Sequence, residues 1–167
     1  MKNLYVTIVL ALVVGCGTAP AKVEKYRAAA ATGDAEAQHN LGYMYYKGIG
    51  VPKDKASAMK WFTKAADQGV AESQVNLGLM YRRGEGVPKD DAAAVSWFTK
   101  AAAQGDPGAQ LKLGLMYGLG KGVPKDNVRA YMWVNVAAQQ GNERAARIIG
   151  SIGVDTCRLS KSADIKP

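Results

Sequence analysis

The chain has 167 residues and a formal charge of +8, with 48% apolar and 22% charged residues. That apolar share excludes a disordered composition, and the length suits one ordinary domain or one short solenoid. A basic balance of this size reads either as a solubilising surface or as attraction to something acidic: an anionic headgroup, a cell-wall polymer or an acidic protein patch.

Residues 1–16 read M-K-N-L-Y-V-T-I-V-L-A-L-V-V-G-C. One lysine is followed by an apolar run from Leu4 to Val14. The run is too short to span a bilayer as a mature helix and has the shape of an export signal. It ends in Val13-Val14-Gly15-Cys16, which resembles the bacterial lipobox. The resemblance implies that residues 1–15 are removed, that Cys16 Sγ carries a diacylglyceryl group, and that 16–24 form a lipidated tether. Buried acyl chains contribute about 0.8 kcal/mol per CH₂, so several of them hold a protein on a membrane stably. Gly17 follows the cysteine and no aspartate does, which by resemblance to Gram-negative lipoproteins favours the outer membrane, facing the periplasm. The alternative is ordinary cleavage after Ala19-Pro20-Ala21, leaving a soluble periplasmic protein. Because Lys2 lies in the signal, the mature chain carries +7.

Beyond the tether the sequence repeats. Leu41–Asp54 (L-G-Y-M-Y-Y-K-G-I-G-V-P-K-D) returns as Leu77–Asp90 and Leu113–Asp126, at a constant offset of 36 residues. A fixed period in this range marks a stacked repeat protein. The frame is 35–70, 71–106 and 107–142, flanked by half-repeats at 25–34 and 143–153, with 154–167 as a tail.

Each unit predicts a helical hairpin. Asp34, Asp106 and Asn142 are placed to N-cap the first helix, Val70 leaves the second unit without that cap, and Pro107 suits a first helical position. Ala37, Leu41 and Tyr45 recur at i, i+4 and i+8 and share one face, with Ser73, Leu77, Tyr81 and Ala109, Leu113, Tyr117 as counterparts. Gly42, Gly78 and Gly114 fall mid-helix, where glycine costs roughly 1 kcal/mol, so close approach of a neighbouring helix is expected there. Gly48-Ile49-Gly50 and its two counterparts reverse the chain through positive φ. Asp54, Asp90 and Asp126 cap the second helix. That helix carries Ala58, Trp61, Phe62, Ala65 and Ala66, an apolar stripe expected in the core. In the half-repeats, Tyr26 falls at the Phe62 position and Ile149 at the Leu41 position. The expectation is an all-α solenoid of antiparallel helix pairs with about eight helices.

The pattern A-x-x-Q-x-x-L-G-x-x-Y, then G-x-G-V-P-K-D, then A-x-x-W-x-x-x-A-A-x-Q-G, resembles the Sel-one-like repeat (SLR) family, a branch of the tetratricopeptide superfamily. The resemblance covers about Tyr26 to Gly150. It implies a right-handed superhelix whose first helices line a concave surface, and adaptor work that holds other proteins together in bacterial envelopes. Some members carry a disulfide in each hairpin and are described as binding penicillins. This chain has no cysteine inside any repeat, which makes a β-lactam-directed enzyme the least favoured reading.

The family geometry puts the partner-binding positions on the first helix where the core pattern leaves room: His39, Tyr43, Tyr46 and Lys47; Val75, Leu79, Arg82 and Arg83; Leu111, Leu115 and Leu119; and Arg147 on the last helix. Glu36, Glu72, Gly108, Gly118 and Ser151 extend the same row. Tyr43, Leu79, Leu115 and Leu119 would form an apolar strip that a solvated face does not need. Tyr and Arg beside it are residue types common at binding hot spots.

No catalytic constellation is legible. His39 is the one histidine, no cluster has metal-ligand spacing, and Cys157 has no evident base. No cofactor, metal or nucleic acid is expected. The expected role is a non-catalytic, lipid-anchored scaffold that binds a protein as an adaptor or as an immunity or inhibitor protein. The alternative is a binder of peptidoglycan or anionic lipid.

Overall fold

The computed structural model describes residues 20–150. The segment read as an export signal, Cys16, Ser151, Cys157 and the segment read as a tail lie outside these residues. Seven helices follow one another: α1 (Ala21–Ala31), α2 (Ala35–Lys47), α3 (Lys55–Asp67), α4 (Ala71–Arg83), α5 (Asp91–Ala103), α6 (Pro107–Leu119) and α7 (Asn127–Gln139). Residues 143–150 are helical too, and the described residues contain no strand. The result is an all-α solenoid. α2–α3, α4–α5 and α6–α7 are the three hairpins, α1 is a preceding second-type helix, and 143–150 stands in the place of a further first-type helix.

The caps explain where the helices begin. Asp34, Asp54, Asp90, Asp106 and Asp126 each accept a backbone N–H from the first turn, and Asn142 accepts from Ala145 at 3.0 Å. Val70 has no such bond, and Pro107 occupies the first turn of α6. α1 starts at Ala21, four residues before the half-repeat boundary drawn at Lys25, so the segment assigned to the tether is partly helical. The Pro20 carbonyl accepts from Val23 N at 2.7 Å, and Val23 is fully buried against the cluster of Ala37, Leu41 and Met44. Burial of that side chain anchors the extra turn.

Within a hairpin the mid-helix glycines let the second helix close in. A Cβ at Gly42 would lie 2.9 Å from Phe62 Cδ1, and one at Gly78 would lie 2.5 Å from Phe98 Cε1. Phe62 and Phe98 are fully buried. Trp61 and Trp97, expected in the core beside them, are half-buried instead: Lys64 Nζ lies 4.5 Å from the Trp61 ring centre and Lys100 Nζ 4.0 Å from that of Trp97. Their indoles cover the hairpin from outside under a cation. Met44, Met80 and Met116, which the repeat pattern left unassigned, are buried.

Two further devices join one unit to the next. The loop glycines Gly48 and Gly50 have φ of 76° and 69°. The second glycine of each loop also touches the start of the preceding second-type helix: Gly50 lies against Pro20 and Val23, Gly86 against Lys55, and Gly122 against Asp91. The other device is a buried glutamine. Gln38, Gln74 and Gln110 donate from Nε2 to the carbonyls of Ala30, Ala66 and Ala102, near the end of the preceding helix. Gln68 and Gln104 donate in turn to Gln38 Oε1 and Gln74 Oε1, both at 2.8 Å. The third copy is incomplete, since Gln110 Oε1 is buried without a partner.

Candidate functional site

The candidate residues lie on α2, α4, α6 and 143–150, the successive first helices. Their environments divide them into three groups.

One group joins neighbouring repeats. His39 Nδ1 is 2.8 Å from Ser73 Oγ, and its ring centre is 5.6 Å from that of Phe62. Val75 packs on the cluster that contains Ala109, and Leu111 belongs to the cluster that contains Ala145. Position 39 meets Ser73, and its equivalents Val75 and Leu111 pack in the clusters that hold the equivalents of Ser73, namely Ala109 and Ala145. Leu111 is only 6% exposed, so its assignment to partner contact is corrected: it is core between α6 and the last helix. The period identifies equivalent letters but not the contact that one first helix makes with the next. Burial pushes the His39 imidazole pKa below its ordinary value, against the opposing pull of Glu72 and Glu36. The His39–Ser73 pair is no nucleophile–base couple, because Ser73 is fully buried and its hydroxyl has no room for a substrate.

A second group is partly engaged. Tyr46 donates its hydroxyl to Glu85 Oε2 at 2.7 Å, and Lys55 Nζ approaches Glu85 Oε1 at 3.0 Å. Glu85 thus ties the second loop to both helices of the first hairpin. These hydrogen bonds hold the Glu85 carboxyl below its usual range and raise the Tyr46 phenol. Leu79 and Leu115 are half-buried against the clusters of the second and third hairpins.

The third group faces outward. Tyr43 is 43% exposed and Leu119 65%. Lys47 is exposed, with Nζ 5.7 Å from the ring centres of both Tyr43 and Tyr46. Arg83 and Arg147 are exposed and Arg82 is half-buried. The apolar strip is real at its ends and sunken in its middle.

Next to Leu115 and Leu119 lies a groove of about 470 Å³ lined also by Gly118, Tyr131 and Val134. Its origin is compositional. Gly118 stands where the earlier repeats have Tyr46 and Arg82, and Val134 where they have Phe62 and Phe98.

The pattern reading did not single out Lys112. It is half-buried on α6, and its Nζ donates to the Gly108 carbonyl at 3.2 Å. Burial pushes its pKa down, Asp106 opposes this, and Arg82, Arg144 and Arg83 push the same way as burial. The signal was available, since Lys112 stands where the earlier repeats have Asn40 and Asn76. Among the described residues no group of three or more His, Cys, Asp or Glu could hold a metal ion, and no helix is long and apolar enough to cross a membrane.

A solenoid of 36-residue helical hairpins with its variable letters gathered on the first-helix row is a tetratricopeptide-like repeat scaffold. The Sel1 repeat model matches residues 35–70, 71–106 and 107–142, and the chain belongs to that family. A protective antigen of uropathogenic Escherichia coli with an SLR fold is 43% identical with a TM-score of 0.75, over 77% of this chain and 28% of its own. A Sel1 repeat protein from Oxalobacter formigenes is 42% identical with a TM-score of 0.69, over 72% of this chain and 49% of its own. Cysteine rich protein B of Helicobacter pylori is 26% identical with a TM-score of 0.61, over 80% of this chain and 99% of its own. A sel1-like repeat-containing protein of Acanthamoeba polyphaga mimivirus is 52% identical over 42 residues, which span 25% of this chain and 7% of that protein. The chain thus spans only a small part of that curated relative and less than half of the first two structures. Proteins of this fold generally mediate protein–protein interaction and typically serve as non-catalytic scaffolds.

Proposed function

We propose that the chain is a lipid-anchored scaffold of the bacterial envelope that binds a protein partner along its first-helix face, as an adaptor or as an immunity or inhibitor protein. The observation that carries the binding face is the exposure of Tyr43 and Leu119 at the two ends of a strip continued by half-buried Leu79 and Leu115. Exposed aromatic and aliphatic side chains beside Lys47 and Arg83 have the composition of a binding hot spot rather than of a solvated helix. The family supplies the prior for a protein partner. The Val13–Cys16 lipobox supports the anchor, and Gly17 after it supports outer-membrane sorting.

Envelope capture with the lipidated protein as bait tests the face. Tyr43→Ala with Leu79→Ala keeps helicity by circular dichroism and loses the captured protein, and unchanged capture rejects this surface. Labelled-lipid incorporation tests the anchor, with Cys16→Ser expected to abolish it.

The charge of +7 expected for the mature chain favours a second reading, in which the surface binds peptidoglycan or anionic lipid. That reading predicts co-sedimentation with purified sacculi or vesicles that weakens steeply with salt.

A further inference from the structure

We infer that the first-helix face takes an acidic peptide segment whose carboxylates are held by Arg82, Arg83, Lys112 and Arg144. The inference rests on the proposed protein-binding face and names the chemistry of its partner. The four cations come from three consecutive first helices: two from the end of α4, one from α6, one from the helix over 143–150. These helices are packed side by side. Val75 and Leu79 of α4 lie on the cluster containing Ala109 and Leu113, and Leu111 of α6 shares a cluster with Ala145.

The chain neutralises these charges only in part: Glu85 attracts Arg83, and Asp106 attracts Lys112. The ion pairs among the described residues join Arg27 to Glu24, Lys55 to Glu85, Lys89 to Asp91 and Arg129 to Asp126, and none uses the four cations. Lys112 instead feels Arg82, Arg144 and Arg83 together, with Asp106 as the single opposing carboxylate. Gathering like charges raises the free energy of the unbound fold, and a bound anion relieves it.

Nor is this the general basicity of the surface. In the positions that match Lys112 the earlier repeats have Asn40 and Asn76, and in those that match Arg144 they have Glu36, Glu72 and Gly108. Before Arg82 the row carries Glu36 and Glu72 against one cation, Lys47, and from Arg82 onward the cations predominate. A solubilising coat needs no such segregation.

A peptide fits the site better than a bilayer surface. Lys112 is half-buried, and a flat array of headgroups meets protruding cations before recessed ones. A narrow chain reaches both. Neighbouring helices stand about 8–10 Å apart, and an extended chain rises about 3.3 Å per residue, so carboxylates roughly three residues apart meet successive helices. Each arginine offers a planar fork that matches one carboxylate. Leu115, three residues after Lys112 on the same face of α6, gives an aliphatic side chain between those carboxylates a place to rest.

The test uses the purified full chain and a fluorescein-labelled peptide of Glu and Leu residues, read by anisotropy. Arg82→Glu with Arg144→Glu is expected to weaken binding by about tenfold or more. Lys60→Glu with Lys121→Glu removes the same charge from exposed sites elsewhere and is expected to change it by less than about twofold. Equal weakening by both pairs assigns the binding to net charge and overturns the inference. The side chains of Arg82 and Arg144 take part in no hydrogen bond or ion pair among the described residues, so the first pair is expected to keep native helicity and Tm. Phosphatidylglycerol vesicles are the second probe, expected not to displace the peptide. Displacement that disappears in the Arg82→Glu/Arg144→Glu protein assigns the cations to a lipid surface and overturns the inference. Envelope capture separates the two levels. Capture lost in Tyr43→Ala/Leu79→Ala but intact in Arg82→Glu/Arg144→Glu overturns the acidic-segment inference alone, and capture intact in both overturns the binding face as well.

Discussion

A single position, 39 in the first repeat, shows how a residue's surroundings set its chemistry. His39 is half-buried between α2 and α4 with Nδ1 on Ser73 Oγ, while Val75 and Leu111 fill the equivalent gaps with hydrocarbon. Burial disfavours the imidazolium and depresses the folded-state pKa. The sign follows from linkage: the unfolded chain binds the proton more readily, so the stabilisation is present above the unfolded pKa of about 6.5 and is lost as pH falls through the folded value. Thermal unfolding across mildly acidic pH should therefore show a falling Tm whose slope flattens in His39→Leu, the residue type that the third repeat uses. An identical slope in both proteins would place the pH sensitivity elsewhere. A second residue-scale case is Gly78. Alanine there gains roughly 1 kcal/mol of helix propensity, but its Cβ meets the buried Phe98 ring at 2.5 Å. Overpacking costs about 1–3 kcal/mol, so Gly78→Ala is expected to lower the urea midpoint. A raised midpoint would show that the ring yields freely. The need for glycine here was legible from its threefold recurrence against propensity. The burial of Leu111 was not, because it depends on which face of α6 the last helix covers.

At the scale of an element, the hairpins are held by capping aspartates that the sequence displays openly and by glutamines that it conceals. A repeated Asp after a loop has one economical explanation. A repeated Gln three residues before Leu reads as surface until the neighbouring helix end is seen, with its last carbonyls turned toward it. Gln74 donates to Ala66 O and accepts from Gln104, whereas Gln110 donates to Ala102 O at 3.3 Å and leaves Oε1 unpaired. Removing a buried hydrogen-bond partner costs about 1–3 kcal/mol. Gln74→Leu removes two hydrogen bonds and leaves Gln104 Nε2 without its acceptor, while Gln110→Leu removes one long bond and also an unsatisfied oxygen; Ala66 O and Ala102 O keep the backbone bonds from Gly69 and Gly105. Urea denaturation should therefore show a larger loss for Gln74→Leu. Equal losses would mean that the glutamines act by shape alone. Tyr46 was concealed for a similar reason. Its partner Glu85 lies 39 residues away in a loop letter that changes from Ile49 to Glu85 to Lys121, so no periodic rule announces the bond.

Across the whole molecule the repeats are alike in frame and unequal in packing. The first two hairpins close around a fully buried phenylalanine, while the third has Val134 in its place and glycine at 118. Its surface also holds Leu119, Val128, Tyr131 and Met132, four of the six large apolar side chains that are exposed among the described residues. In a solenoid each unit is stabilised by itself and its neighbours, so local differences persist as differences in local stability rather than averaging out. Replacing a buried Phe by a smaller side chain removes apolar contact that α3 and α5 retain. Native-state hydrogen exchange should accordingly find the amides of α7 opening before those of α3 and α5, with α5 the most protected because it is covered on both sides by complete hairpins. Uniform protection along the chain would instead mean that the solenoid opens only as one cooperative unit. The gradient also bears on recognition. The face that carries Arg82, Arg83, Lys112 and Arg144 runs from the hairpin closed on Phe98 onto the one with Val134 in that place, so a ligand bridging them should slow exchange in α6 more than in α4.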